Sequence, residues 1–244
     1  MLRHLNVIVL ALVLCATFTV SGAAQDLSLD LGTDQSLSSR ALQLIALITV
    51  LSLAPGLAIM ITCFPFIVTV LSILRQAIGL QQSPPNMLIV SLALFLTYFV
   101  MDPVFQEAWR QGAQPLSQGS LTVEEAFPRV IAPFREFMAL RLDLDTFQTL
   151  LDLRPNETPA APADASLSIL IPSFMLSEVA RAFQIGFLIF LPFLIIDLVV
   201  AAILMSMGMM MVPPAIVSLP FKLAFFVVAD GWNLIAGALV RSYF

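Results

Sequence analysis

Charged residues interrupt the apolar C-terminal third of this chain, among them Glu178, Asp197, Lys222 and Asp230. An unpaired charge in hydrocarbon is costly, so such residues usually face protein or water and find a partner of opposite sign. The same residue types could also relay protons or ions across a membrane. Buried ion pairs and an ion relay are therefore the two chemistries that this part of the sequence offers.

Folding this region as one antiparallel hairpin, centred between positions 209 and 210, places two of the charges beside partners. In that register Asp197 lies level with Lys222, and Glu178 lies level with Arg241. Asp230 meets no opposite charge, so we expect its partner elsewhere, for example in another subunit.

The turn of this hairpin, "LMSMGMMMVPP", contains five of the eleven methionines in the chain. Methionine is unbranched, apolar and easily repacked, so it could fill a helix bend or ring a pore that closes by dewetting. A glycine allows the sharp turn, and a double proline limits the movement of the loop. The candidate gate residues are Met207, Met209, Met210 and Met211, with Gly208, Pro213 and Pro214 fixing the loop geometry.

Residues for most enzyme mechanisms are missing from the chain. Its beginning, with Arg3, an apolar core and "SGAAQ", predicts a secretory signal peptide at residues 1–24, and an uncleaved anchor helix is the alternative. Cleavage would remove His4, the only histidine, and leave Cys63 as the single cysteine. Zinc chemistry, a Ser-His-Asp triad and an imidazole base are then excluded. We expect no enzyme activity, metal or cofactor.

Composition indicates a membrane protein. Hydrophobic residues make up 59% of the 244 residues, charged residues only 11%, and the mean hydropathy is +0.98. Soluble domains contain about 25% charged residues, which cover their surface. The net charge of −5 gives no basic surface for nucleic acid.

Apolar periodicity predicts an all-α fold, a membrane-associated bundle of about four long, kinked apolar helices. The N-terminal region, residues 25–103, contains an apolar run broken by Pro55-Gly56 and Pro65, and "SPPN" predicts the start of a further helix. We expect that helix to end at Asp102-Pro103. The C-terminal region, residues 167–244, holds the two arms of the hairpin.

The middle region, residues 104–166, changes in character because charges alternate with apolar residues at helical spacing. We expect an amphipathic helical loop that starts with a capping box of Thr122 and Glu125. It ends in a proline- and alanine-rich linker over residues 154–166. Three aromatic residues are candidate subunit contacts: Phe134, Phe137 and Phe147.

The residues from Ser177 to Ile235, which include "FLIIDLVVAAILMSMGMMMVPPAIVSLPFKL" and "VVADGWNLI", closely resemble the C-terminal half of the FliP family of flagellar type III export-gate subunits. "LRQAIG" and "PPNMLIVSLALFLTYFVMDPVF" resemble its N-terminal hydrophobic region. There are two departures. Pro65-Phe66 stands where the family usually shows Thr-Arg, and Val179-Ala180-Arg181 follows Ser-Glu where it usually shows Leu-Lys-Thr.

This resemblance implies a pentamer that assembles with FliQ-type and FliR-type subunits into a helical channel, beside FlhB-type and FlhA-type export proteins. The channel would pass unfolded flagellar subunits across the bacterial inner membrane at the flagellar basal body. Much of the assembly would lie toward the periplasm, in contact with membrane lipid. For such a conduit, the pore-gasket interpretation of the methionines is favoured over packing in a bend.

A small-solute or ion transporter is the alternative, with Glu178, Asp197 and Asp230 lining its path. It explains the charges in the apolar arms but not the methionine cluster.

Overall fold

The computed structural model describes residues 37–244 except 80–83, 155–156, 160 and 210. This part of the chain is predominantly helical and contains no strand, which confirms the predicted all-α class. The predicted signal peptide lies outside the described residues. The chain divides into two compact units, Met1–Ser52 and Leu53–Phe244. In the first unit the described residues are helical, with exposed apolar side chains such as Leu42 and Ile48.

A π-helical segment at Trp109–Ala113 continues the third helix into the fourth. We number the α-helices in chain order: α1 Leu37–Met60, α2 Phe64–Ile78, α3 Asn86–Ala108, α4 Gln114–Ser117, α5 Val123–Arg141, α6 Leu144–Asp152, α7 Leu167–Ser206, α8 Pro214–Val228 and α9 Gly231–Arg241.

Prolines mark helix starts more reliably than helix ends in this chain. Pro65 lies in the first turn of α2, and Pro85 immediately precedes α3, as the sequence predicts. Pro103 does not end α3, so that prediction is wrong. A proline removes one intrahelical hydrogen bond. Beyond it the helix continues and packs on α5, where the rings of Phe105 and Phe134 have centroids 5.8 Å apart.

Two described helical segments are long and apolar enough to cross a membrane, Asn86–Ser117 and Leu167–Ser206. The number rises to four if two bent helix pairs each count as one span. The 40 residues of α7 extend about 60 Å, roughly twice the thickness of a bilayer core. The second arm of the C-terminal hairpin is predicted to be one helix, and this prediction is wrong. The arm consists of two helices, α8 and α9, which meet at a 61° bend.

The core is centred on α2, which packs along α7 more extensively than any other described pair of helices. Close approach depends on Gly186 of α7, where an added Cβ would lie 2.4 Å from Cδ1 of Ile73. Around this contact α2 buries Phe66, Val70 and Leu74 almost completely. The absence of a side chain at one position of α7 therefore sets the distance between the two central helices.

We predict that Gly186→Ala destabilises the chain by about 1–3 kcal/mol, because the new methyl group overlaps Ile73 in a packed core. The measurement is the Tm of the purified protein in detergent. Combining Gly186→Ala with Ile73→Val removes the nearest clashing carbon and should restore much of the lost Tm. An unchanged Tm in the Gly186→Ala variant would contradict this prediction, because it would show that α2 and α7 can move apart without loss of stability.

The middle region forms the predicted amphipathic layer of α5 and α6. The capping box is confirmed: the backbone N–H and hydroxyl of Thr122 donate to Glu125 and hold its pKa below the usual range. The segment predicted as a linker contains a 3-10 turn at Pro162–Asp164. Arg135 of α5 donates to the carbonyls of Ala163 and Ala165 at 2.7 and 2.8 Å, which fixes this turn against α5.

Candidate gate loop and buried charge clusters

The methionine-rich loop lies at the tip of the hairpin formed by α7 and α8. Met207 follows the last turn of α7, and Gly208 adopts a left-handed conformation with φ +74°. The N–H of Met209 donates to the carbonyl of Leu204 at 2.9 Å, which closes the end of the helix. A glycine at this position is therefore required by the turn itself.

The methionine side chains of this loop are displayed outward. Met211 is 97% exposed, Met209 is 41% exposed, and Met207 is also exposed, while Met210 lies outside the described residues. On the far side of the loop, Pro213 is extended and Pro214 begins α8. A single chain thus presents apolar, flexible thioethers that are exposed at this tip, between a helix end and a proline stop.

Lys222 forms a buried polar cluster that joins three helices. It is 5% exposed, and its Nζ donates to Asp197 Oδ2 of α7 at 2.6 Å and to the carbonyl of Ala77 near the end of α2 at 3.1 Å. Ser218 of α8 donates to the second oxygen of Asp197 at 2.5 Å. The structure therefore brings together Asp197 and Lys222, as the hairpin register predicts, and adds a carbonyl from the C-terminal end of α2, which attracts a cation.

Glu178 is the centre of a second cluster and is completely buried. One of its oxygens lies 3.4 Å from Arg141 of α5 and 3.3 Å from Arg181 of α7, and the other accepts a hydrogen bond from the hydroxyl of Tyr243. Arg141 also donates to the carbonyl of Ser242 at 2.7 Å. Glu178 therefore links the middle layer to both ends of the C-terminal hairpin.

The ring of Tyr243 completes this cluster. The guanidinium of Arg141 lies 4.0 Å from the ring centroid, a cation–π contact, and Phe66 meets the ring edge-on at 5.6 Å. Burial, followed by the nearby charge of Glu178, raises the pKa of Tyr243, so its phenol keeps the proton that it donates. Phe66 and Arg181 both belong to this cluster, since Phe66 contacts Tyr243 and Arg181 lies beside the carboxylate of Glu178.

One predicted charge contact is wrong. Arg241 does not pair with Glu178, because α8 and α9 meet at a bend and the straight hairpin register does not extend to Arg241; its Nε donates instead to the carbonyl of Gly237 at 3.1 Å. Asp230 forms no ion pair among the described residues, and a partner in another subunit stays a prediction. Asp230 lies exposed at the bend with φ +49° and accepts a hydrogen bond from Asn233 at 3.1 Å.

The three candidate contact residues of the middle layer lie in the core of this chain. Phe134 packs on α3, Phe147 is buried, and Phe137 contacts Phe174 and Tyr243 with ring centroids 5.7 and 6.1 Å apart. These side chains therefore stabilise the layer of a single chain. A subunit contact through them stays a prediction.

Sequence reasoning missed four members of the charge clusters: Arg141, Arg181, Ser218 and Tyr243. Ser218 lies four residues before Lys222, on the same face of α8, and this spacing could have identified it. Arg141 and Tyr243 are 37 and 65 residues from Glu178 along the chain, so helical periodicity carries no signal for them. Their positions depend on how α5 and the C-terminal end pack on α7.

Comparison with known proteins gives matches along most of the chain. A model of the FliP family matches residues 47–239. A flagellar biosynthetic protein FliP of Caulobacter vibrioides is 50% identical over 236 residues, covering 96% of this chain and 89% of the relative. Proteins of the same name are 48% identical in Rhizobium meliloti, covering 86% of both chains, and 44% identical in Bacillus subtilis, covering 84% of this chain and 93% of the relative.

Proposed function

Because this chain belongs to the FliP family, we propose that it is a core channel subunit of the flagellar type III export gate. In this role it passes unfolded flagellar subunits across the bacterial inner membrane. The observation that carries the proposal is the loop at the hairpin tip, where exposed methionines stand between a left-handed glycine and a double proline.

We propose that methionines from several copies of this loop meet as a gasket. An apolar ring excludes water and ions when the channel is idle, because a narrow hydrophobic constriction gates by dewetting. Unbranched thioether side chains can also repack around an unfolded chain of any sequence. Met207, Met209, Met210 and Met211 are assigned to the ring, while Gly208, Pro213 and Pro214 limit the movement of the loop.

The apolar surface of the single chain supports partners within a membrane assembly. Side chains such as Leu198, Val199 and Ile203 of α7 are more than half exposed, in a helix too apolar to face water. Their cover is proposed to be further copies in a pentamer, FliQ-type and FliR-type subunits, and membrane lipid. FlhB-type and FlhA-type export proteins complete the gate at the flagellar basal body, with the layer of α5 and α6 on the periplasmic side.

The buried charges support a structural role rather than a transport path. Glu178 is enclosed by two arginines and a tyrosine, and Asp197 by Lys222 and Ser218. A solute or ion path needs carboxylates that its cargo can reach. These carboxylates are already engaged by partners within the chain, so the geometry favours ion pairs that hold the helices together.

Deletion of the gene in the organism that encodes it tests this function. We expect hook and filament proteins to be made inside the cells but to be absent from the medium, and expression of the intact chain from a plasmid should restore their secretion. Total flagellin in whole cells, measured by immunoblotting, is the control for synthesis. Normal secretion in the deletion strain would contradict an export role.

A further inference from the structure

The sulfur-containing residues of this chain differ sharply in their exposure. Four methionines near the hairpin tip are exposed: Met205, Met207, Met209 and Met211. Met60 and Met87 are also exposed, on α1 and α3. In the core, Met101, Met138 and Cys63 are each 0% exposed. Accessible methionines are therefore concentrated at the tip, while the core methionines are protected from solvent.

The backbone of the tip does not depend on the methionine side chains. The N–H of Gly208 donates to the carbonyl of Met205 at 3.0 Å, and the N–H of Val212 donates to that of Met209 at 3.3 Å. An oxygen atom added to a side-chain sulfur leaves these bonds in place. The same change at Met138 would bury a polar atom in packed surroundings and destabilise the core. The chain thus places its accessible thioethers where a change of polarity leaves the fold intact.

We infer that the methionines of this tip are an oxidation site, at which a peroxide converts the thioether of Met211 and its neighbours to the sulfoxide. The sulfur lone pair attacks one peroxide oxygen, so that an S–O bond forms and the O–O bond breaks. With hydrogen peroxide, the second oxygen leaves as hydroxide and takes up the proton of the transferred oxygen, which gives one sulfoxide and one water. The sulfur is oxidised by two electrons, and the peroxide is reduced by two.

The inference rests on the proposed gasket, because oxidation changes the polarity of the ring. Methionine sulfoxide is polar, whereas the thioether is apolar. A constriction that closes by dewetting needs an apolar lining, so sulfoxide oxygens that bind water should keep it hydrated. Oxidation is therefore expected to open the idle gate to ions without removing the protein from the membrane.

Treatment of the purified assembly with hydrogen peroxide tests the site. Peptide mass spectrometry locates the added oxygen, and conductance in a planar lipid bilayer reports the state of the gate. We expect sulfoxide to form at Met211 about tenfold or more faster than at Met101 and Met138, because oxidation follows solvent exposure. The treated assembly should carry a steady ionic current that the untreated assembly lacks.

Two variants connect the current to the thioethers of the tip. Leucine at positions 207, 209, 210 and 211 keeps the ring apolar and of similar volume but removes the oxidisable sulfur. This variant should remain closed after peroxide treatment, and it retains Cys63, so a current caused by thiol oxidation would persist in it. Met211→Gln introduces a polar side chain of similar length and should carry a current without peroxide. Met87→Gln is the control, since Met87 is exposed outside the loop.

Three results would overturn the inference: equal rates of oxidation at Met211 and Met138, a closed gate after the tip methionines are oxidised, or a leucine variant that opens as the parent does. The variant with alanine at positions 209, 210 and 211 separates this inference from the gasket. If that variant conducts while the oxidised parent stays closed, the oxidation site is wrong and the gasket remains. If the alanine variant stays closed, the gasket itself is wrong.

Discussion

Lys222→Met is expected to remove most of the folded protein from the membrane. The substitution keeps an unbranched apolar side chain but leaves Asp197 without its cation and the carbonyl of Ala77 without its donor. Removing one partner of a fully buried ion pair costs about 3–5 kcal/mol, because the remaining charge stays buried without compensation. The side chain of Asp197 is 32% exposed, so we expect a loss toward the lower end of that range. The measurements are the amount of the chain in isolated membranes and its Tm after purification in detergent.

Removing the charges of both Asp197 and Lys222 should destabilise the protein less than removing the charge of Lys222 alone. In the Asp197→Asn, Lys222→Met double variant no net charge remains, and the new amide oxygen can still accept from Ser218. We expect this variant to recover most of the lost protein and Tm. Arg110→Met is the control for a surface pair, since the bond to Glu107 is exposed and should contribute less than about 1 kcal/mol. A double variant as unstable as Lys222→Met alone would contradict the ion-pair account.

Replacing Met209, Met210 and Met211 together by alanine is expected to leave assembly intact and to open the idle channel to ions. The arms of the hairpin and their charge clusters are unchanged, so membrane levels should match the parent. The shorter side chains would leave the constriction wide enough to stay hydrated. We expect slow growth and a severalfold loss of membrane potential, measured with a potential-sensitive dye, while flagellar secretion continues.

Two further variants define the chemical requirement of the loop. Replacing the same three residues by isoleucine keeps the ring apolar but stiffens each side chain at χ1. This variant should retain the membrane potential and secrete less. Met87→Ala is the control, because Met87 is exposed on α3, outside the loop. Normal secretion in the isoleucine variant would show that apolar bulk alone is sufficient.

The sequence predicts contacts that depend on one regular element. The pairing of Asp197 with Lys222 follows from the position of the hairpin turn, and both helices run without a break from the turn to the pair. The capping box follows from the spacing of Thr122 and Glu125 alone. In both cases the local pattern determines the geometry, so no knowledge of tertiary packing is needed.

The predictions from sequence fail where packing between helices determines which residues are in contact or where a helix ends. The pairing of Glu178 with Arg241 assumes a straight second arm, yet the chain turns at Asp230-Gly231, a dipeptide typical of turns that the apolar sequence around it obscures. Pro103 lies inside α3 although it removes one hydrogen bond, and Phe105 just beyond it packs on α5. Arg141, one of the partners of Glu178, lies on a separate helix, and helical periodicity carries no signal for how that helix docks.

The conductance of the purified assembly in a planar lipid bilayer tests the gasket most directly. The parent assembly should carry almost no current in the absence of an export substrate. The variant with alanine at positions 209, 210 and 211 should carry a steady ionic current under the same voltage, with Met87→Ala remaining closed. Equal conductance of the alanine variant and the parent would contradict the gasket and assign the methionines to packing of the hairpin tip.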